Sequence, residues 1–276
     1  MKYQPKLQFE DKYNIKSKTI SEIRNLINEV EIDRDLIDAL YADNRKTTSK
    51  IAVQCEKMYR KDKALKEKLS VYKNIENQLY NKGFESIYGF YVTGIPAAAG
   101  PLTFCMIKLN RFIEIKGIEY SNELTTQQRQ QFYEKIKSKA DVLKIEHLSS
   151  NVIDEIGIKN SIKKGYKQLQ SKINYDNEVD LDKIYYLYYK YVLSKDNSKL
   201  IKDTSKKVYS LACASIAAKV NRENKMIELS KKYPAYHFKD NHGYITEKHR
   251  KAVKNRGFSP CHRKSFDFEK KLEFEF

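Results

Sequence analysis

Two strand-length apolar runs, FESIYGFYV and PLTFCMIKLN, stand either side of the stretch TGIPAAAG between residues 84 and 110. Runs this short, rich in aromatic and β-branched residues and bounded by glycine and proline, read as strands. RFIEIKGIEY reads as a continuation, strand and then turn. Helical stretches follow at about 125–140 and 151–172, and DKIYYLYYKYVL is a tyrosine-rich strand buried on at least one face. YSLACASIAAKVNRENKMIELSKKY is a long helix rich in small residues, and TEKHRKAVKNRG is another helix. Strands first, then strands alternating with helices, give an α/β fold with a mixed sheet flanked by helices and a helical C-terminal part.

The chain before Gly83 has a different character. Residues 1–15 read as a polar tail, and TISEIRNLINEVEIDRDLIDALYADN places apolar residues at helical spacing with Thr19 or Ser21 as the cap. A second helical region spans 47–82, carries mostly positive charge and stops at Gly83. The expected organisation is a helical N-terminal extension over 1–83 and an α/β domain over 84–276. The lysines of the extension read either as a solvated helix face or as a phosphate-contacting one.

Charge supplies the main clue to a partner. The 276 residues carry a formal net charge of +17, with 41% hydrophobic and 32% charged residues, which is globular composition. An excess of that size draws polyanions, nucleic acid first and anionic membrane second. The four cysteines, Cys55, Cys105, Cys213 and Cys261, contain no C-x-x-C pair, which argues against a local zinc site and suits a reducing compartment. Cys105 and Cys213 lie in apolar runs and read as small buried residues. No segment has the length of a membrane span, and the first residues lack the apolar core of a signal peptide. The expectation is a cytoplasmic monomer with no membrane partner.

Residues 89–102, GFYVTGIPAAAGPL, have the glycines and prolines of a functional loop, yet none of them ionises at neutral pH. Four other blocks give this a context: ASIAAKVNRENKM, KKYPAYHFKDNHGYITEKHRKAVKNRGFSPCHRKSF, NVIDEIGIKNSIKKGY and KALKEKLSVYKNIENQLYNKGFESIYG. In wording, order and spacing they resemble the ribonuclease HII family across roughly residues 19–267. The resemblance implies a ribonuclease H-like core acting on the RNA of RNA–DNA hybrids with Mg²⁺ or Mn²⁺.

The family's loop, I-x-G-I-D-E-x-G-R-G-P-L-A-G-P, aligns without a gap to Ile87–Pro101. Gly89, Gly94, Ala99, Gly100 and Pro101 are kept. The catalytic Asp falls on Tyr91, the catalytic Glu on Val92, the Arg on Ile95 and the next Gly on Pro96. The family's third acid falls on Tyr186, Leu187 or Tyr188, and the fourth on Thr204 or Ser205, with Asp203 as a substitute. The family's D-S-K turn becomes Tyr120, Ser121, Asn122. Two-metal hydrolysis needs converging carboxylates, and Mg²⁺ needs hard oxygen ligands, so catalysis and metal are both expected to be lost, with no cofactor. Pro96 removes a backbone donor from the loop that would grip the ribonucleotide, which weakens reading of the 2′-OH. Tyr186 or Tyr188 is expected to fill the vacated metal space.

What the resemblance leaves in place is a binding apparatus: Lys219, Arg222, Tyr244, Thr246, Arg263, Lys264 and Ser265. Tyr244 corresponds to the family's stacking tyrosine, and the basic residues are expected to contact phosphates without reading sequence. His237, His242, His249 and His262 match no compact zinc pattern. The leading expectation is a family member that binds duplex or RNA–DNA hybrid without cutting it. One alternative is an active endoribonuclease with a relocated metal site drawn from Asp203, Asp154, Glu155 and Glu223. The other is a non-catalytic scaffold for a protein partner.

Overall fold

The computed structural model describes residues 12–173, 180–190, 197–202 and 206–267. The chain divides into two compact units, Met1–Lys68 and Leu69–Phe276. In the first, α1 (Ile20–Glu29) is capped by Thr19, whose side chain accepts from the Glu22 N–H while the Glu22 carboxylate accepts from the Thr19 N–H. The single helical pattern read from the sequence breaks after Val30, because Asp33 caps a second helix, α2 (Arg34–Ala42). Ile15, Ile23, Leu36, Ile37, Leu40, Ile51 and Cys55 form the core of this unit.

The long helix α3 (Lys46–Asn81) ends at Gly83, where φ is +95°. The expected boundary lay after that glycine. The compact units divide thirteen residues before the helix ends, after Lys68, because Leu69, Tyr72 and Leu79 are buried in the core of the second unit.

The second unit holds one five-stranded mixed sheet in the order β3-β2-β1-β4-β5, from β1 (Ser86–Thr93), β2 (Leu102–Leu109), β3 (Ala140–Leu148), β4 (Ile184–Tyr189) and β5 (Ser198–Ile201). β2 runs antiparallel to β1 and β3, and β4 runs parallel to β1 and β5. Both faces are covered, so β1 and β2 are apolar almost continuously rather than alternately. On one face lie the end of α3, α4 (Thr126–Lys139) and the small-residue helix α6 (Tyr209–Lys232). On the other lies α5 (Ser150–Gln170). Gly165 lets α5 come down onto the sheet, since a Cβ there would sit 2.4 Å from the Phe104 ring. Two short helices complete the C-terminal part, α7 (Phe238–Asn241) and α8 (Glu247–Arg256).

One strand expectation fails and two strands, β3 and β5, were not foreseen. RFIEIKGIEY forms no strand; Ile115 and Ile118 insert into the core instead, and the Ile115 N–H donates to the Tyr209 hydroxyl at 3.0 Å. Edge strand β3 comes from ADVLKIEHL, whose mixed burial on an edge leaves little apolar signal. Among the described residues no helix is long and apolar enough to cross a membrane. All four cysteines are free and buried.

Candidate functional site

At the end of β1, the two degenerate positions point to opposite faces, as strand alternation requires. Val92 is buried on the α5 face and Tyr91 on the α6 face. The Tyr91 ring stacks on Tyr189 with centroids 4.3 Å apart and planes 11° from parallel, and Tyr120 follows at 6.4 Å. Tyr120 in turn lies 6.1 Å from Tyr72, and the Lys207 ammonium sits over both of those rings. Burial, and then the neighbouring Tyr189, push the Tyr91 phenol well above its ordinary value, so it stays neutral.

Neither Tyr186 nor Tyr188, the residues expected to fill the vacated metal space, packs on Tyr91. In the parallel register Phe90 pairs with Tyr188, and the Tyr188 ring stacks on Phe90 across the opposite face. Tyr186 packs on that opposite face as well. Leu187 shares the Tyr91 face, but the ring in contact with Tyr91 belongs to Tyr189. A one-residue uncertainty in register reverses which face a side chain takes. Asp203, Thr204 and Ser205 lie outside the described residues.

The loop after β1 has its backbone satisfied from within. The Ala97 N–H turns back to Gly94 O, the Ala98 and Ala99 N–H groups donate to Gly243 O at 2.9 and 3.1 Å, and Gly100 N–H donates to Cys261 O at 2.8 Å. Pro96 has no N–H to offer. Gly94 and Gly243 adopt φ of +85° and +82°, and a Cβ on Gly243 would sit 2.1 Å from Ala99 O, so the loop and the α7–α8 turn meet backbone to backbone.

Two arginines close this arrangement, and both depart from the expected role. Arg222 and Arg263 are 0% exposed. Arg222 donates to Pro101 O, His242 O and Ala99 O. Arg263 donates twice to Gly100 O, at 3.2 and 3.0 Å, and to Ile95 O at 2.9 Å. Burial, and then Arg222 beside it, push the Arg263 pKa down to about 9. A guanidinium that is fully buried and bonded to carbonyls is out of reach of a phosphate, so these two residues hold the loop rather than the ligand. Nothing in the sequence near Arg222 or Arg263 marks their carbonyl partners, which, apart from His242, lie more than a hundred residues away.

The other expected binding residues lie nearer the surface. Tyr244 is half-buried, with the Lys219 ammonium and the Arg222 guanidinium each 5.7 Å from its ring centroid. Its backbone is fixed at both ends: its N–H donates to Asn241 O, and its carbonyl accepts from His249 Nδ1 at 2.8 Å. His249 Nε2 lies 3.0 Å from His262 Nε2, and the Ser259 N–H donates to His262 Nδ1 at 2.9 Å. One proton per ring satisfies the chain: His262 Nε2–H donates to His249, and His249 Nδ1–H donates to Tyr244 O. His249 and His262 are thus a buried neutral pair. Thr246 is exposed and its hydroxyl caps α8 by accepting from His249 N–H.

Lys264 and Ser265 are exposed, and with the relocated-site candidate Asp154 they form a cap. The backbone N–H groups of Lys264 and Ser265 and the Ser265 hydroxyl all donate to the Asp154 carboxylate. Partial burial opposes ionisation, but the Ser265 and Lys264 bonds outweigh it and hold Asp154 below the usual carboxylate value. Glu223 accepts from Arg129 at 2.7 Å, and Glu155 is exposed. Among the described residues no three of His, Cys, Asp and Glu come together as a metal site. A carboxylate engaged by three donors, and another by an arginine, are poor starting ligands for Mg²⁺.

Comparison with known proteins places this geometry. Residues 93–269 match the sequence profile "Ribonuclease HII", beginning one residue after Val92, and residues 19–80 match "Ribonuclease HII N-terminal domain". The chain is 30% identical over 258 residues to "Ribonuclease HII" of Clostridioides difficile, covering 91% of this chain and 98% of that protein. It is 31% identical over 265 residues to "Ribonuclease HII" of Listeria monocytogenes, covering 94% and 98%. In fold it is similar to the crystal structure of ribonuclease H2 from Pyrococcus horikoshii, with a TM-score of 0.54 at 17% identity over 66% of this chain and 94% of that one.

Proposed function

The chain belongs to the ribonuclease HII family, and we propose that it binds nucleic-acid duplex, RNA–DNA hybrid in particular, without cleaving it. The observation that carries this reading is the end of β1, where a neutral tyrosine stack on Tyr91 and a buried, apolar Val92 stand at the positions to which the family's two metal-binding acids align. Enzymes of this kind lower their barrier by about 8–23 kcal/mol, and the metals supply much of it by activating water and stabilising the leaving oxygen. The following loop supports the same reading, because its Ala97–Gly100 N–H groups are engaged within the protein and Pro96 has no N–H to offer a ribose. Binding is assigned to the surface around Tyr244, with Lys219 beside its ring and Lys264 exposed nearby in sequence to the Arg263 anchor.

A cleavage assay tests this directly. Duplex carrying one embedded ribonucleotide, and a continuous RNA–DNA hybrid, are incubated with the purified chain and Mg²⁺ or Mn²⁺. The expected result is retention of both duplexes in a gel-shift titration with no product above background. Metal-stimulated cleavage that Asp203→Asn abolishes would replace this reading with a relocated catalytic site. Absence of any duplex binding at low salt would favour a scaffold for a protein partner.

A further inference from the structure

The N-terminal unit carries a charged feature that the core site does not use. From Lys46 to Lys68, the part of α3 in that unit, the sequence holds eight basic and three acidic residues, whereas residues 12–45 hold six and seven. Five of those lysines, Lys46, Lys50, Lys57, Lys61 and Lys68, are spaced by four, seven, four and seven residues. At about 100° per residue, that spacing puts all five within a sector of roughly 60°, and at about 1.5 Å per residue the row is about 33 Å long. All five are exposed.

Glu56 is held by Arg34 and Arg60, and Asp62 by Lys66. Among the described residues, Lys46, Lys50, Lys57 and Lys61 have no carboxylate within 4.0 Å. A helix face designed only for solubility interleaves opposite charges at i,i+4, which stabilises it. Here Lys46/Lys50 and Lys57/Lys61 are like-charge i,i+4 pairs, each destabilising by about 0.2–0.5 kcal/mol. Among the described residues no carboxylate within 4.0 Å of these four lysines offsets that cost, whereas a polyanion laid along the row would.

We propose that this lysine row on α3 is a second nucleic-acid contact, docking the phosphate backbone of a duplex. Its length matches about one helical turn of duplex, roughly 34 Å. A membrane surface fits less well, because interfacial helices bury a broad apolar face, and the large apolar side chains exposed on this part of α3 are Val53 and Met58. Contacts of this kind carry no sequence information; they add affinity and fix the duplex in place. The inference goes beyond the reading of the Tyr244 surface and does not depend on it.

The test uses the full chain and a labelled 25-base-pair RNA–DNA hybrid, with affinity measured across a salt series. The triple variant Lys50→Gln, Lys57→Gln, Lys61→Gln is compared with Lys159→Gln, Lys163→Gln, Lys164→Gln on α5, which removes the same charge from another exposed face. Each lost phosphate contact lowers the slope of log affinity against log salt by about 0.7–0.9. The row variant is therefore expected to lose about two units of slope and to bind at least ten-fold more weakly at 0.1 M salt, with the α5 variant close to the parent. Equal slopes in the two triple variants overturn the proposal and leave the Tyr244 reading standing. A slope loss in the row variant, with Tyr244→Ala binding like the parent, supports the row and removes the Tyr244 reading. If the row variant loses affinity for vesicles of 30% phosphatidylserine but binds hybrid like the parent, the occupant is a membrane and the proposal falls. A parent chain that binds no duplex at low salt overturns both.

Discussion

The loop after β1 and the first part of α3 are both dense in polar groups, and they dispose of them in opposite ways. In the loop, N–H groups, carbonyls and two guanidiniums satisfy one another out of contact with water. On α3 from Lys46 to Lys68, ammonium groups stand in a row in solvent. Buried polar groups satisfied from within cost several kcal/mol to disturb and are inert toward partners. Exposed charges contribute little to stability but remain available to a polyanion. The comparison separates what holds this protein together from what it offers to bind. α3 contains both behaviours, since beyond Lys68 it buries Glu76, whose carboxylate accepts from the Ser210 N–H and caps the start of α6.

The largest effect is expected at Arg263. Replacing it with Ala removes three hydrogen bonds and leaves Gly100 O and Ile95 O buried and unsatisfied, a loss of about 3–5 kcal/mol. Urea denaturation should show this as a lower midpoint with little change in slope. Arg263→Lys should recover only part of it, because an ammonium cannot span two carbonyls as a planar fork does. An Arg263→Ala protein as stable as the parent would break the comparison at its strongest point.

Next in size is a pair of opposed pH dependences. Burial pushes Glu76 up to about 7 from an ordinary 4.5. Between those values the folded chain holds a proton that the unfolded chain has released, so this group's stabilisation is complete below about 4.5 and lost as pH rises through 7. Burial, and then His249, push His262 down to about 4 from 6.5. There the unfolded chain holds the extra proton, so stability is lost as pH falls from 6.5 toward 4. Each window is worth roughly 3 kcal/mol at one pH unit per about 1.4 kcal/mol, and in the parent they oppose one another. Glu76→Gln keeps the acceptor for Ser210 and should be more stable than the parent at pH 8. It should also unmask a stability that rises from pH 4 to 6.5. Parallel denaturation curves for parent and variant across that range would show that Glu76 is ionised throughout.

Smaller again is Tyr244→Ala. Loss of a stacking surface should weaken hybrid binding by about 1–3 kcal/mol and leave the salt slope unchanged. The smallest expected effect is the stability of Lys57→Gln, within about 0.5 kcal/mol of the parent by thermal denaturation. A destabilisation as large as that of Arg263→Ala would mean the row is structural after all.

Much of the architecture was legible in the sequence because it is local. The strands β1, β2 and β4, the long helices, the Thr19 cap and the Gly83 stop follow from apolar periodicity and terminal residues. The proposed replacement of acids by Tyr91 and Val92 rests on the sequence alone, on an ungapped motif whose alignment does not depend on packing. The edge strands β3 and β5 were missed because half-buried positions interrupted by Lys144 and Lys199 leave little continuous apolar signal.

What only the tertiary structure decided is which side chains meet. Sequence alone assigned Arg222 and Arg263 to phosphates, since a charge reads as a surface residue; folding buried them against carbonyls from the β1–β2 loop and the turn before α8. It left open which of Tyr186 and Tyr188 fills the space expected to be vacated by metals, and the parallel register of β1 and β4 put Tyr189, not either of these, against Tyr91. The lysine row on α3 is the converse case. Its spacing and sign are in the sequence, and folding decided only that this face stays in water. Periodicity along one helix is a local property written in residue order, whereas the partner of a buried charge is chosen by chain segments that come together only when the fold closes.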